Sequence, residues 1–465
     1  MDLWLIVILF TVILSLVVTV IAENRHPVKT LAWILVLILL PVLGLILYFL
    51  FGINKKKDRL VNDEQLDSFK QHTLNNYIDS IVNIENETSK LLQMTNKAIP
   101  LGGNEVTVFT DFNSMFASLA EDMRNAKNHI NFQFFKIEDD PIGRALAEIM
   151  AERASKGVDV KVLYDDAANL IRKPFYRRMK KKGIQVQPFL KVIIPFLSSN
   201  TNYRNHRKVV VIDGNIAYCG GMNIAERYSV GIRGGNWRDT HFRVRGPAAS
   251  ELQTSFLVDW LFTSKRSIKD VEMYYPAYKP EGNVQMQIAT SGVMDEWHVT
   301  MQGMISLISQ AKKYVYLESP YFIPTETFMM ALRNAALSGV DVRIIIPYRG
   351  DRGALTPLAT RSYVESALIA GVKVFFYNGG YMHSKTIVVD DQVSTIGSTN
   401  IDVRSFEQDF EVNGFFYNEE VATTLRKAFL KDSENSTQVF LEEWQQRPQI
   451  EKLNESFARL FSMLL

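Results

Sequence analysis

The sequence predicts an α/β protein built from two copies of one unit, packed about a pseudo-twofold axis and preceded by a two-helix transmembrane hairpin. Three observations predict it. Residues 205–214 read NHRKVVVIDG and residues 382–391 read MHSKTIVVDD, so one arrangement of histidine, lysine and aspartate occurs twice. Strand-like and helix-like segments alternate in the same order around each copy. Two long apolar runs, 3–22 and 31–51, stand ahead of both.

The apolar runs come first in the chain. LWLIVILFTVILSLVVTVIA at 3–22 carries no charge and is long enough to cross a hydrocarbon core of about 30 Å as a helix; LAWILVLILLPVLGLILYFLF at 31–51 repeats the pattern. Only ENRHPVKT separates them, which suits a hairpin. A signal peptide would have a basic leading region and a shorter apolar run, and no second span would follow. KKKDR at 55–59 outweighs Arg25 and Lys29 of the loop, so the positive-inside rule puts both termini and all that follows Lys55 in the cytoplasm. The lone cysteine, Cys219, agrees with a reducing compartment.

Residues 1–57 are thus read as the anchor and 58–104 as a partly helical linker. From Val106 the chain reads VTVF, SMFASLAEDMRNAKN, HINFQFFKI, GRALAEIMAERASKG and VDVKVLY, alternating strand and helix. The second half replays it in WHVTMQGMISLISQAKK, YVYLESPYFIP, ETFMMALRNAALSG and VDVRIIIP. SKGVDVKVLY at 155–164 echoes LSGVDVRIII at 337–346, each a helix ended by glycine before a buried strand. The first unit is therefore set at 105–275 and the second at 283–465, with the break in YPAYKPEGN. A chain of 465 residues exceeds one ordinary core, as duplication requires.

Within each copy, residues two apart on a strand share a face, so His206 projects with Lys208 and His383 with Lys385. Each strand ends at a turn, Asp213-Gly214 or Asp390-Asp391, and is followed by GGMN at 220–223 or GSTN at 397–400. Asn223 and Asn400 would set an amide donor where a helix starts. One copy supplies an imidazole, an ammonium and an amide, which is half a site. Two copies face to face could hold the oxygens of a phosphodiester without a metal, one imidazole attacking phosphorus and the other moving the proton. Asp239 in WRDTH and Glu411 in DFEVN, each a similar distance after its own HxK, are candidates to orient the imidazoles; surface ion pairs are the alternative. Asp213 and Asp390 lie an odd number of residues from the histidines and are expected to hold turns or cross-domain contacts.

These residues resemble the phospholipase D superfamily, whose signature HxKxxxxDxxxxxxGSxN fits His206, Lys208, Asp213, Gly220 and Asn223, and again His383, Lys385, Asp390, Gly397, Ser398 and Asn400. Gly221 departs from the signature's serine. The double apolar segment, NYRNHRK, WRDTH, SPYFIP and IDVRSFEQDFEVN narrow the resemblance to the bacterial cardiolipin synthase branch, over nearly the whole chain. The resemblance implies transfer of a phosphatidyl group between two phosphatidylglycerol molecules, giving cardiolipin and glycerol. It also implies catalytic roles for both HxK pairs with Asp213 and Asp390, phosphate binding by Asn223 and Asn400, and a nucleophilic His206 with His383 as acid and base. No metal or other cofactor is implied, and seven histidines with one cysteine offer no zinc spacing.

Two other classes compete. A hydrolase would use the same residues with water as acceptor, and a nuclease would need a basic face, against a formal charge of only +2; no nucleic acid is expected. A membrane scaffold with a dead site would not need both HxK pairs intact. FLKVIIPFLSS at 189–199 is read either as an acyl-chain groove or as a buried strand and turn. RRMKKKG at 177–183 is read as a solvated helix end, with headgroup contact as the alternative, and LVDWLF at 257–262 as core. The oligomeric state is not legible.

Overall fold

The computed structural model describes residues 3–23, 27–52, 60–192, 203–232, 234–268, 270–277, 282–351 and 353–463. The first apolar run forms the helix Leu3–Ala22, long and apolar enough to cross a membrane. The second is not one rod. It runs as Pro27–Leu39, breaks at Leu40, resumes as Pro41–Leu47 and ends in a π-helical turn, Tyr48–Gly52. Pro41 is the cause, since its ring disfavours a helical residue before it and removes a backbone donor. The two runs pack through Ile13, Val20, Leu37 and Tyr48, leaving apolar side chains on the outside. Lys29 pairs with Glu407 of the second half at 2.7 Å. The basic cluster at 55–59 lies outside the described residues, as do 193–199 of the apolar stretch before the first HxK.

One fifteen-stranded sheet runs through both halves. From its outer edge inward the first half contributes Gln185–Phe189, Asp159–Asp165, His129–Phe134, Val209–Ile212, Ile216–Gly220, His241–Arg245 and Leu101–Phe109. The second contributes Ser436–Val439, then Lys373–Tyr377, Asp341–Pro347, Tyr314–Glu318, Thr386–Val389, Val393–Gly397, Glu411–Phe416 and Val284–Ser291. Apart from the added edge strand the two orders are the same, and they meet where Leu101–Phe109 pairs antiparallel with Val284–Ser291. In each half the three strands joined through helices run parallel, and the HxK strand pairs antiparallel with the first of them. Connections this long return the chain to the same edge of the sheet, which is what a parallel pair requires.

The echoed segments take equivalent places. Helix Pro141–Ser155 leads through Gly157, φ 88°, into Asp159–Asp165; helix Glu326–Leu337 leads through Gly339, φ 92°, into Asp341–Pro347. Both glycines adopt the left-handed conformation that ends a helix at little cost. On the sheet's other face the halves share one apolar cluster that includes Val209, Phe242, Tyr316, Met382 and Phe416, with Phe242 and Phe416 edge to face at 5.1 Å between ring centres. Residues 257–260 of LVDWLF are core, as expected, within the helix Ala248–Ser264. The basic helix end at 177–183 is paired and solvated: Arg178 meets Asp139 at 2.7 Å and Lys182 meets Glu148.

Candidate functional site

The two HxK segments are held by backbone from the opposite half. Gly380–Met382, leading to His383, pairs in parallel with Asn236–Arg238, while Asn205, before His206, bridges Phe410. The His383 amide donates to Arg238 O at 2.7 Å, and the His206 amide donates to Phe410 O at 2.9 Å. The residue after each of those acceptors is a candidate orienter. His206 Nδ1 therefore lies 2.9 Å from Glu411 Oε1, and His383 Nδ1 lies 2.6 Å from Asp239 Oδ2. Chain order sets Asp239 after the first HxK and Glu411 after the second; the fold pairs them crosswise. With Nδ1–H donated to a carboxylate, Nε2 of each ring carries the lone pair for chemistry.

Lys208 Nζ donates to His206 O at 2.6 Å, and Lys385 Nζ donates to His383 O. Both lysines are buried, and the charges of each half act on the other's histidine, so the two halves make one cluster. Aromatic rings wall it: Phe135 stands edge-on to His206 at 4.9 Å, and Trp237 lies 5.3 Å from His383.

Asp213 and Asp390, which the signature groups with the catalytic residues, are not brought to the imidazoles. Asp213 accepts the backbone N–H groups of Lys127, Asn128 and His129 at 2.7–2.9 Å, and Asp390 accepts those of Lys312, Lys313 and Tyr314 over the same range. Each clamps the turn after its HxK strand to the start of the neighbouring strand, as the face parity of the sequence anticipated. Asn223 donates to the Tyr228 hydroxyl at 2.8 Å and Asn400 to Ser405 Oγ at 3.2 Å. Neither caps a helix. In the second half that part falls to Asp402, which accepts from Ser405 N ahead of Val403–Glu407.

The departure at Gly221 has a physical reason. A Cβ there would meet the Asp239 carboxylate, with Cγ at 3.0 Å and Oδ2 at 3.1 Å. The corresponding Ser398 donates its hydroxyl to Glu411 Oε2. A short carboxylate against bare backbone in one half is matched by a longer carboxylate tied to a serine in the other.

The sequence reading missed the residues between histidine and lysine. Arg207 points to the far face, donating to Asp259 at 2.7 Å and to the carbonyl of Glu411 at 3.1 Å. Ser384 Oγ lies 2.7 Å from Thr240 Oγ1, beside Asp239. Arg238 reaches Asp432 at 2.6 Å and the Asp239 carbonyl at 2.8 Å. The signal that could have found the two arginines is a charge inside a run otherwise destined for burial, where it must have a partner.

A family profile described as "Cardiolipin synthase, PLD-like domain" matches residues 119–260 and again 304–433, one match per half. The chain belongs to this family. A second profile, "Phospholipase_D-nuclease N-terminal", matches residues 8–52. The cardiolipin synthase-family chain is 38% identical to the major cardiolipin synthase of Bacillus subtilis over 97% of both chains. It is also 38% identical to a cardiolipin synthase of Staphylococcus aureus, over 95% of this chain and 92% of that one. Among solved structures it resembles phosphatidylserine synthase of Haemophilus influenzae with a TM-score of 0.62 at 17% identity, covering 82% of this chain and 100% of that one, which supports the fold.

Burial dominates the electrostatics of this family member's site. Burial, and then the nearby Lys208, holds the His206 imidazole well below its ordinary pKa; burial and Lys385 do the same to His383. Lys208 is pushed down to about 7 and Lys385 to about 8, again by burial, against the pull of Glu411 and Asp239. Glu411 is pushed up to about 7 and Asp239 to about 6 by the same desolvation. The two lysines and two carboxylates are therefore drawn toward neutrality, while the same burial keeps both imidazoles uncharged. Among the described residues no group of histidine, cysteine and carboxylate side chains could hold a metal ion.

Proposed function

We propose that this protein is a cardiolipin synthase that transfers a phosphatidyl group from one phosphatidylglycerol to another through a phosphohistidine. The crosswise histidine–carboxylate pairs carry the reading, because they supply two imidazoles of fixed tautomer beside two lysines. His206 Nε2 attacks phosphorus, and the bond to the leaving glycerol oxygen breaks as His383 Nε2–H gives that oxygen its proton. The glycerol hydroxyl of a second lipid then passes its proton to His383 and attacks phosphorus, and the N–P bond breaks. Cardiolipin and glycerol are the products. Lys208 and Lys385 neutralise the phosphoryl oxygens, and the second N–H of the Asn223 and Asn400 amides is free to donate to them. The entering phosphodiester brings the negative charge that raises His383 into the range where it holds a proton.

The catalytic units are placed at 105–275 and 283–465, related by a pseudo-twofold axis, after a linker at 58–104. The support is the repeated strand order meeting at one antiparallel pair. We place the protein in the bacterial cell membrane as a multi-pass protein, catalytic halves in the cytoplasm, on the apolar lengths and the charge of residues 55–59. One observation favours a second arrangement. The Lys29–Glu407 pair needs the turn between the apolar runs on the catalytic side, with Leu3–Ala22 as the spanning helix and the broken run at 27–52 re-entrant. Val28→Cys, exposed in its helix, separates the two: labelling of intact cells by an impermeant maleimide supports the two-span hairpin, and labelling only after permeabilisation supports the re-entrant form.

The test of the activity is to incubate the purified protein with phosphatidylglycerol micelles, without added metal, and identify products by mass spectrometry. Cardiolipin with equimolar glycerol, lost in His206→Ala and His383→Ala, is expected. Phosphatidic acid in its place would make the protein a hydrolase, and an adduct trapped on His383 alone would reverse the roles of the histidines.

A further inference from the structure

The described chain closes with the helix Gln449–Arg459, which packs one side and exposes the other. Glu455 and Ala458 are buried, Ala458 against Ala359 and Ile323, and Glu455 meets Arg361 at 3.1 Å. On the outer side Leu453 is 64%, Phe457 60% and Leu460 77% exposed, with Ile450 on the same stripe. Three- and four-residue spacing puts these side chains on one face, so solvent meets a continuous apolar ridge. Such a ridge marks a contact surface.

Its position says what it contacts. Ile323 belongs to a short strand paired with Ile401–Asp402, which directly follows the GSTN segment at 397–400. Arg361, which holds Glu455, also donates to the carbonyl of Tyr348, a half-exposed aromatic after strand Asp341–Pro347. Gln408, three residues before Glu411, donates to Met463 O at 3.4 Å, and its neighbour Glu407 holds Lys29 at the foot of the apolar amino-terminal helices. The ridge is thus tied through Ile323 to the strand that follows Asn400 and, in the arrangement that keeps the Lys29–Glu407 pair, lies on the side of the membrane anchor, with exposed Arg459 beside it.

We propose that Ile450, Leu453, Phe457 and Leu460 form an interfacial docking face that inserts into the acyl boundary of an anionic phospholipid bilayer beside the site opening. The proposal rests on the lipid-transferase reading only for its purpose. An amphipathic helix lying in the headgroup boundary buries its apolar face and leaves basic groups at the phosphates. Docking there would hold the opening against the surface from which both lipids enter.

The test labels Phe457→Cys in the full chain with an environment-sensitive fluorophore. Cys219 is buried, so labelling is selective for the introduced thiol. Glu420→Cys, exposed on another helix, is the control. In phosphatidylglycerol-containing liposomes, nitroxides on the lipid chains should quench the label at 457 at least twofold while aqueous iodide does not, and the label at 420 should show the reverse. Iodide quenching at 457 would overturn the proposal; so would shielding from both quenchers, which would mean that a second copy of the chain covers the ridge. The Phe457→Glu/Leu460→Glu variant should lose about tenfold in rate on liposomes and keep its rate on dispersed short-chain phosphatidylglycerol. If the unsubstituted protein makes no cardiolipin from either form while the quenching stands, the transferase reading fails and the docking face does not.

Discussion

Gly221→Ala adds one methyl group and should disable the site without touching a histidine. The new Cβ would lie within contact of all three atoms of the Asp239 carboxyl group. The backbone cannot yield freely, because Gly221 N–H is bonded to Thr240 O at 2.9 Å and the preceding strand pairs with His241–Arg245. Asp239 must therefore move, and it loses the 2.6 Å bond that fixes the tautomer of His383. Removing a general acid costs about 10²–10⁴-fold, and disturbing the carboxylate behind a functional imidazole costs about 10–100-fold. A displaced Asp239 belongs in the lower range, equivalent to about 1.4–2.7 kcal/mol of transition-state stabilisation. The assay is the initial rate of cardiolipin formation, with rapid-quench measurement of the phosphohistidine. Both steps should slow, since the proposed mechanism uses His383 in each. Combining Gly221→Ala with Asp239→Ala should cost little more than Asp239→Ala alone, because both act through one carboxylate. Full activity in Gly221→Ala, or additive losses in the double variant, would refute the claim that bare backbone at 221 positions Asp239.

Other outcomes follow from the same geometry. The kcat/KM profile should be a narrow bell centred near pH 7, falling on the acid side as Glu411 and then Asp239 take protons and on the alkaline side as Lys208 and then Lys385 lose them; a flat profile from about pH 6 to about pH 8 would be contrary. Glu411→Gln should lose activity yet melt higher at about pH 8. The folded pKa of Glu411, about 7, lies above its unfolded value of about 4.3, so folding favours the protonated form and its stabilisation is lost as pH rises through 7. The melting difference should close toward about pH 4, and thermal unfolding at both pH values measures it. Arg207→Ala should destabilise the protein by about 3–5 kcal/mol, because it strands the buried Asp259 carboxylate, and unchanged denaturant unfolding would contradict that.

Much of this arrangement could be read from the chain. Helix–glycine–strand patterns ending at Gly157 and Gly339 are local, and the parity of a strand placed His206 with Lys208 and set Asp213 apart without any tertiary information. The crosswise pairs could not be read that way. They depend on Leu101–Phe109 meeting Val284–Ser291, and nothing in either strand's alternation names its partner. The same holds for Arg207, whose meaning depends on Asp259 and the Glu411 carbonyl lying behind it. Pro41 was visible inside the second apolar run, but hydropathy is a sum over a window and does not register a missing backbone donor.

The crosswise wiring also orders events in time. His206 is made 205 residues before the carboxylate that completes it. At about 5–20 residues per second, the ribosome leaves the first imidazole without its tautomer lock for roughly 10–40 s. Through that interval the nascent chain carries the imidazole proposed as nucleophile with no carboxylate to hold it in register and, until His383 is made, no second histidine to serve it. Competence waits on Glu411, so a chain terminated before that residue would be an inert fragment and would not become an unregulated lipase.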